Sequence, residues 1–116
     1  MHSLILLKSK IHNAAVTGTN LHYEGSIEID LDLIEAAQLV PYEKVHVLNI
    51  NTGSRLETYV IVGKRGSRVI SLNGAAARAA QVGDRLIILS YAIVPAEDQA
   101  AWQPVIIRLD AQNRPV

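Results

Sequence analysis

The sequence predicts one mainly β domain that closes into a barrel. Six or seven short runs of β-branched and aliphatic residues are separated by turn residues, and only two stretches carry a helical pattern. This arrangement is typical of small closed barrels. The chain has 116 residues, enough for one hydrophobic core, and neither a linker nor a repeat divides it. Because there is no phenylalanine and only one tryptophan, the core is expected to be aliphatic.

Two strands are expected before the first helix. Residues 3–11 form the first strand, and a polar segment over residues 16–23 follows it. Ile27 and Ile29 then alternate with polar residues, which indicates a second strand with one buried face.

The first helix is predicted over residues 30–39. Asp32 and Glu35 have the spacing of a capping box, in which two side chains satisfy free backbone N–H groups. Pro41 cannot continue a helix, so the helix is expected to end before it.

The middle of the chain predicts a hairpin followed by one short strand. Residues 45–50 and 56–62 are rich in β-branched side chains and flank a turn signature over residues 51–53. Residues 69–72 form the short strand.

The last third predicts a second helix and two strands. Asn73 is expected to N-cap an alanine-rich helix that ends near Gly83. Residues 85–94 are almost continuously apolar, which is typical of a strand buried on both faces. A final strand is expected over residues 105–109, and the tail after Asp110 is expected to be mobile.

Composition and charge exclude several classes of function. The formal net charge is zero, which argues against binding of nucleic acid or a membrane surface through bulk charge. No stretch approaches the length of a membrane span, and no targeting signal is visible, so a cytoplasmic protein is expected. There is no cysteine, and the four histidines show no metal-ligand spacing, so no metal site is expected.

Gly25-Ser26 is the most informative pair in the chain. A serine hydroxyl can attack the carbonyl carbon of the preceding residue, and elimination then cleaves the chain and leaves a new N-terminal group. Glycine before the serine suits this reaction because it lacks Cβ and tolerates strained backbone. By itself the pair is also common in ordinary turns.

The residues around this pair resemble those of a known family. The matching blocks run in order over roughly residues 8–95, and they are Lys10-Ile11-His12, Leu21-His22-Tyr23-Glu24-Gly25-Ser26, Asn51-Thr52-Gly53, Arg55, Thr58-Tyr59, Arg65-Gly66-Ser67-Arg68, Ile70-Ser71-Leu72-Asn73-Gly74-Ala75-Ala76-Ala77 and Val82-Gly83-Asp84. Together they are similar to the pyruvoyl-dependent aspartate 1-decarboxylases.

The resemblance implies a fold, a maturation step and a reaction. The fold is a double-psi β-barrel with two short helices. Self-cleavage between Gly25 and Ser26 separates residues 1–25 (the β chain) from residues 26–116 (the α chain), and Ser26 becomes the pyruvoyl cofactor. The reaction converts L-aspartate to β-alanine and carbon dioxide, which supplies pantothenate and coenzyme A synthesis. The implied assembly is a homotetramer with sites between subunits, with or without a maturation factor.

Five polar residues are candidates for the chemistry. The guanidinium of Arg55 can bind a carboxylate through two parallel hydrogen bonds, and Lys10 is a second candidate cation. Tyr59 is the candidate proton donor, because a phenol with a pKa of about 10 is protonated at neutral pH. The resemblance implies that Thr58 assists cleavage at the glycine carbonyl and contacts substrate. His12 is expected to line the site because it flanks the site's motifs. Each residue could also have an ordinary structural role.

The turn after residue 72 is a further candidate binding element. Gly74, Ala75 and Ala76 offer backbone N–H groups beside small side chains, and the resemblance places a substrate carboxylate there. Asn73 is expected to line the same site. The structural alternative is an N-capped helix with an alanine face packed on the barrel.

Strand alternation raises one conflict among these candidates. Arg55 and Tyr59 are expected on one face of their strand and Thr58 on the other. All three could serve one site only if the strand twists, bulges or ends there, or if neighbouring subunits share the site.

Two other functions remain open from sequence. One is a non-catalytic barrel of the swapped-hairpin kind that binds DNA through the basic loop over residues 64–68. The other is an unprocessed relative that serves only as an assembly subunit.

Overall fold

The computed structural model describes residues 2–116 and is mainly β, as predicted. The eight strands are β1 Ser3–Ala15, β2 Gly18–Asn20, β3 Ser26–Asp30, β4 Lys44–Asn49, β5 Arg55–Gly63, β6 Ile70–Asn73, β7 Arg85–Pro95 and β8 Val105–Arg108. One α-helix, α1 (Leu31–Ala36), and two 3₁₀ helices, Gly74–Ala79 and Ala96–Ala101, complete the elements. The prediction of two helices therefore misses the one at Ala96–Ala101.

All eight strands form one mixed sheet in the order β2-β6-β3-β5-β4-β7-β1-β8. The sheet curls around a single core, which fits a barrel-like fold. The barrel is not closed by hydrogen bonds, because β2 and β8 lie at opposite ends of the strand order. These edge strands contain only three and four residues, so neither offers a long ladder for closure.

The inner face of the sheet is aliphatic, as expected from the composition. Ile11, Ile27, Val60, Leu72 and Ile88 are at most 1% exposed and belong to one hydrophobic cluster. Alternate residues of each strand therefore point away from the core, toward what we call the outer face.

Strand β7 differs from its prediction. Leu86, Ile88 and Ser90 are buried, but Ile87 is only half-buried and Ile93 is 77% exposed. The prediction of burial on both faces is thus wrong for the single chain, because no second layer within residues 2–116 covers the outer face.

The first helix also begins differently. Its N-cap is Asp30, whose Oδ1 accepts a hydrogen bond from the Asp32 backbone N–H at 2.8 Å. The carboxylates of Asp32 and Glu35 bind Arg65 instead of closing a capping box. Asp30 thus occupies the capping role predicted for Asp32, and α1 ends at Ala36.

The alanine-rich helix and the tail are two further corrections. The helix is a single 3₁₀ segment that stops at Ala79, and Asn73 makes no side-chain cap bond to it. The tail is anchored through Asn113, which is 1% exposed. The Asn113 side chain donates to the carbonyl oxygens of Ala15 and Arg68 and accepts from the Ala15 N–H at 2.7 Å.

Candidate active site

Ser26 lies buried at the first position of β3, where its hydroxyl belongs to a small polar network. It is 1% exposed and pairs with Asn73 across the antiparallel β3–β6 ladder. Asn73 Nδ2 donates to Ser26 Oγ at 3.1 Å, and Ser26 Oγ donates to the Glu24 carbonyl at 3.3 Å. The hydroxyl of Ser71 in turn donates to Asn73 Oδ1 at 3.5 Å. The hydroxyl oxygen is therefore held in place one residue from the Gly25 carbonyl.

The residue before this serine is packed against a second glycine. Gly74 has a φ of +64°, and a Cβ built on it would lie 2.8 Å from both Cα and N of Gly25. The same Cβ would lie 3.0 Å from the Tyr23 carbonyl oxygen. Only glycine fits this position without displacing backbone, so Gly74 packs directly against Gly25.

Ala75 and Ala76 continue the turn that begins at Gly74. Ala75 is exposed, whereas Ala76 is half-buried and packs against the hydrophobic cluster. The first turn of this 3₁₀ helix thus lies beside the Gly25-Ser26 junction.

The β3–β5 ladder relates the junction to the two candidate residues of β5. It is parallel and pairs Ile27 with Val60. When this register is continued backward, Ser26 lines up with Tyr59 and Gly25 lines up with Thr58. In this continued register, each candidate of β5 corresponds to a different residue of the junction, one step beyond the observed ladder.

Thr58 and Tyr59 do lie on opposite faces of β5. The strand pairs with β4 from Arg55 to Tyr59 without a register shift and continues to Gly63, so it neither bulges nor ends at Thr58. Tyr59 lies on the outer face, half-buried, with its ring centroid 6.2 Å from that of Tyr42. Thr58 lies on the inner side.

Lys10 and His12 lie on the outer face of β1, away from the junction in this chain. They line a recess together with Ile106 and Arg108 of β8. Arg55 lines a different cleft, with Leu48 among its neighbours.

Three basic residues lie in one row of paired residues that crosses the outer face. Successive ladders place Arg108, His12, Ile87, Leu48 and Arg55 side by side across five strands. At about 4.8 Å per strand, His12 and Arg55 are about 14 Å apart along this row. Within one chain, Lys10 and His12 are therefore too far from Arg55 for all three side chains to bind the same carboxylate.

Comparison with known proteins identifies the family. A family model described as aspartate decarboxylase matches residues 1–116. The chain belongs to the aspartate decarboxylase family. Its relatives include the aspartate 1-decarboxylase of Syntrophus aciditrophicus (strain SB), 56% identical over 110 residues that cover 95% of each chain. That of Thermoanaerobacter pseudethanolicus (strain ATCC 33223 / 39E) is 55% identical over 111 residues, 96% of this chain and 95% of the relative.

Within this member of the aspartate decarboxylase family, the sequence predicted neither the hydrogen-bond partner of Asn73 nor the position of Arg108. Asn73 was expected to line the site and also to cap a helix, but it makes no cap bond and its amide binds Ser26. The alternation of Ser71 and Asn73 along β6 predicts that they share a face, but only the pairing of β6 with β3 puts Asn73 beside Ser26. Arg108 carried no signal, because its position beside His12 depends on the pairing of β8 with β1.

In this aspartate decarboxylase family member, the loop from Lys64 to Arg68 forms hydrogen bonds and ion pairs with residues of the same chain. Burial raises the pKa of Asp30, but hydrogen bonds from the backbone N–H groups of Asp32, Arg68 and Gly66 outweigh it and hold that pKa below its usual range. Arg65 binds Asp32 and Glu35. The N–H groups of Gly66 and Arg68 and the side chain of Arg65 are thus already paired within the chain.

Residues 2–116 contain neither a membrane-spanning helix nor a cluster of metal ligands. The helices found there are all too short to cross a lipid bilayer. Among those same residues, no three histidine or acidic side chains are grouped closely enough to hold a metal ion.

Proposed function

We propose that this protein decarboxylates L-aspartate to β-alanine and carbon dioxide, using a pyruvoyl group made from Ser26. The observation that carries the proposal is the buried Ser26 hydroxyl, held by Asn73 beside a glycine that has no side chain to shield its carbonyl. Family membership over the whole chain supports the same reaction. Supply of β-alanine for pantothenate and coenzyme A, in the cytoplasm, is part of this proposal.

Maturation begins at the Gly25-Ser26 peptide bond. Ser26 Oγ attacks the Gly25 carbonyl carbon, the C–N bond breaks and a C–O ester bond forms in its place. Loss of the Ser26 Cα proton then expels Gly25 as a carboxylate and leaves a dehydroalanine on residues 26–116. Hydrolysis of that residue releases ammonia and leaves the pyruvoyl group.

Three residues serve this maturation step. Asn73 donates to the attacking oxygen and fixes its position, which lowers the entropic cost of reaching the carbonyl. Thr58, next to Gly25 in the continued register, is assigned to hold the glycine carbonyl. Gly74 allows the scissile residue to sit against the neighbouring turn.

Decarboxylation needs an electron sink, carboxylate binding and a proton. The pyruvoyl group supplies the sink for the electron pair that departing carbon dioxide leaves behind. Arg55 and Lys10 bind the two carboxylates of the substrate. Tyr59, next to Ser26 in the continued register, returns a proton to the substrate carbon. His12 lines the site, and the backbone N–H groups of the Gly74–Ala76 turn complete it.

The working enzyme is proposed to be a homotetramer with sites between subunits. Lys10, Arg55 and Tyr59 all lie on the outer face of the sheet, which this chain leaves uncovered. Water exclusion there requires a second layer. On the same face Ile5 and Ile93 are directly paired and 74% and 77% exposed, so an apolar contact area adjoins the basic groups. A maturation factor remains part of the proposal.

The DNA-binding alternative has less support. Arg65 is bound to Asp32 and Glu35, and the N–H groups of Gly66 and Arg68 bind Asp30. These groups are thus already paired, and the net charge is zero. The unprocessed assembly subunit differs from our proposal in one measurable property, the integrity of the Gly25-Ser26 bond.

Intact mass under denaturing conditions tests the proposal. The purified protein should give two fragments, residues 1–25 and residues 26–116 with a pyruvoyl end. Aspartate with cyanoborohydride should add a trapped adduct to the larger fragment, and β-alanine should accumulate without the reductant. Ser26→Ala should remain one chain without activity. Aspartate turnover by Ser26→Ala, or a wild-type chain that stays whole and inactive after heating and incubation with cell extract, would contradict the proposal.

A further inference from the structure

A small basic recess lies on the outer face between β1 and β8. It measures about 130 Å³ and is lined by Lys10, His12, Ile106 and Arg108. The parallel ladder pairs Lys10 with Ile106 and His12 with Arg108. Partners in a ladder share a face of the sheet, so Arg108 emerges beside His12, about 4.8 Å away at the backbone.

The positive charge of this recess has no anionic partner within residues 2–116. The ion pairs found there involve Lys8, Lys44, His46, Arg65 and Arg114, and none involves Lys10, His12 or Arg108. The Nδ1 atom of His12 is buried and has no hydrogen-bond partner. Buried polar atoms in folded proteins are normally hydrogen-bonded. The recess therefore combines two basic side chains that have no acidic partner with a histidine whose buried Nδ1 has no hydrogen-bond partner.

We propose that Arg108 is a third carboxylate-binding residue of the substrate site, acting with Lys10. This inference rests on the proposed function, which assigns Lys10 to the substrate but gives no role to Arg108. A guanidinium presents a planar pair of donors to one carboxylate, while the lysine ammonium adds a point charge. Two cations at one carboxylate, with Arg55 brought to the other by subunit assembly, favour a dianionic substrate over an amino acid with a neutral side chain.

Kinetics of Arg108→Gln provide the first test. Hydrogen bonds between charged groups are among the stronger ones in proteins, so KM for L-aspartate should rise on the order of tenfold. The value of kcat should change little, because the residue does not touch the reacting bond. Arg108→Lys keeps the charge but loses the paired donors, and should fall between wild type and Arg108→Gln. Arg114→Gln is the matched control, since Arg114 pairs with Asp110 and Gln112 outside the recess.

Binding of succinate provides a second test that does not depend on turnover. Succinate has both carboxylates and no amine, so it reports the carboxylate contacts alone. Calorimetry should show weaker succinate binding to Arg108→Gln than to wild type and Arg114→Gln. Intact mass should first show that all three proteins are self-cleaved to the same extent. Equal succinate affinity and an unchanged KM would overturn the role of Arg108 while leaving the decarboxylase proposal intact. If wild type binds succinate through Arg108 yet never decarboxylates aspartate, the proposed function fails and the carboxylate site stands.

Discussion

Gly74 is packed directly onto the backbone of Gly25, the residue that precedes the buried Ser26. Its φ of +64° disfavours any side chain, and a Cβ would approach the Gly25 backbone to 2.8 Å. The two glycines therefore depend on each other. Gly25 has an unshielded carbonyl, and Gly74 lets Gly25 lie against the 3₁₀ turn.

Gly74→Ala should slow self-cleavage, because the new Cβ must push the Gly25 backbone away from Ser26 Oγ. A displacement of this kind can cost on the order of a hundredfold in rate. The measurement is a time course of intact mass. Gly53→Ala is the matched control, since Gly53 also has a positive φ of +79° but has nothing within 4 Å of the added carbon. Equal cleavage rates in both variants would show that contact with Gly25 is irrelevant.

Asn73→Ala should also slow cleavage, because Ser26 Oγ would lose its side-chain hydrogen bond. The buried hydroxyl would keep only the Glu24 carbonyl, and stability should fall by about 1 kcal/mol. Ser71→Ala removes only the 3.5 Å bond to Asn73 and should have a smaller effect on both quantities. Intact mass and urea unfolding measure them, and a larger loss in Ser71→Ala would reverse the assigned order.

Tyr59→Phe should self-cleave normally but lose most aspartate turnover. The phenol is the proton donor in the proposed reaction, whereas the ring alone is enough for packing. Tyr42→Phe is the control, because Tyr42 is 78% exposed and its ring lies 6.2 Å from that of Tyr59. The assay is β-alanine release by fully processed protein. Wild-type turnover in processed Tyr59→Phe would remove Tyr59 from the mechanism.

Acid should destabilise the protein through Asp30. Its pKa is lowered in the folded state by three backbone N–H donors despite burial, and an unfolded aspartate titrates near about 3.9. The stabilisation is therefore fully present above that unfolded value and is lost as pH falls through the lower folded pKa. Asp30→Asn should lower the free energy of unfolding by about 2 kcal/mol at pH 7. Urea unfolding at a series of pH values should also show a smaller loss of stability in acid for this variant than for wild type.

Asp98 provides the comparison for this acid effect. It is exposed on the 3₁₀ helix Ala96–Ala101, so Asp98→Asn is a matched control for the loss of one carboxylate from the chain. A similar acid limb in wild type and Asp30→Asn would assign the effect to other carboxylates.

Ile93→Glu should prevent assembly, because it places a charge in the apolar patch paired with Ile5 on the outer face. The molar mass from light scattering should fall below that of wild type, and activity should fall with it. Val116→Glu is the matched control at an 83% exposed apolar residue in the tail. A wild-type mass for Ile93→Glu would place the subunit contact elsewhere.

Strand alternation accounts for much of what could be predicted. Ile27 and Ile29 alternate with polar residues, and both lie at 0% exposure in the core. The separation of Thr58 from Tyr59 by face also follows from alternation and is present in β5. In β7 the same reasoning failed, because an apolar run does not reveal whether a second layer covers its outer face.

By itself the sequence determined the aliphatic core, the mainly β class, the family and the Gly25-Ser26 pair. Each of these depends only on which residue types are present and on their order along the chain. Tertiary structure alone decided that Asn73 binds Ser26 rather than a helix end, and that Gly74 touches Gly25. It also decided that Arg108 stands beside His12. The physical reason is that residue spacing along a strand sets which face a side chain takes. Its partner depends on which strands become neighbours, and that choice is made by packing across the whole sheet.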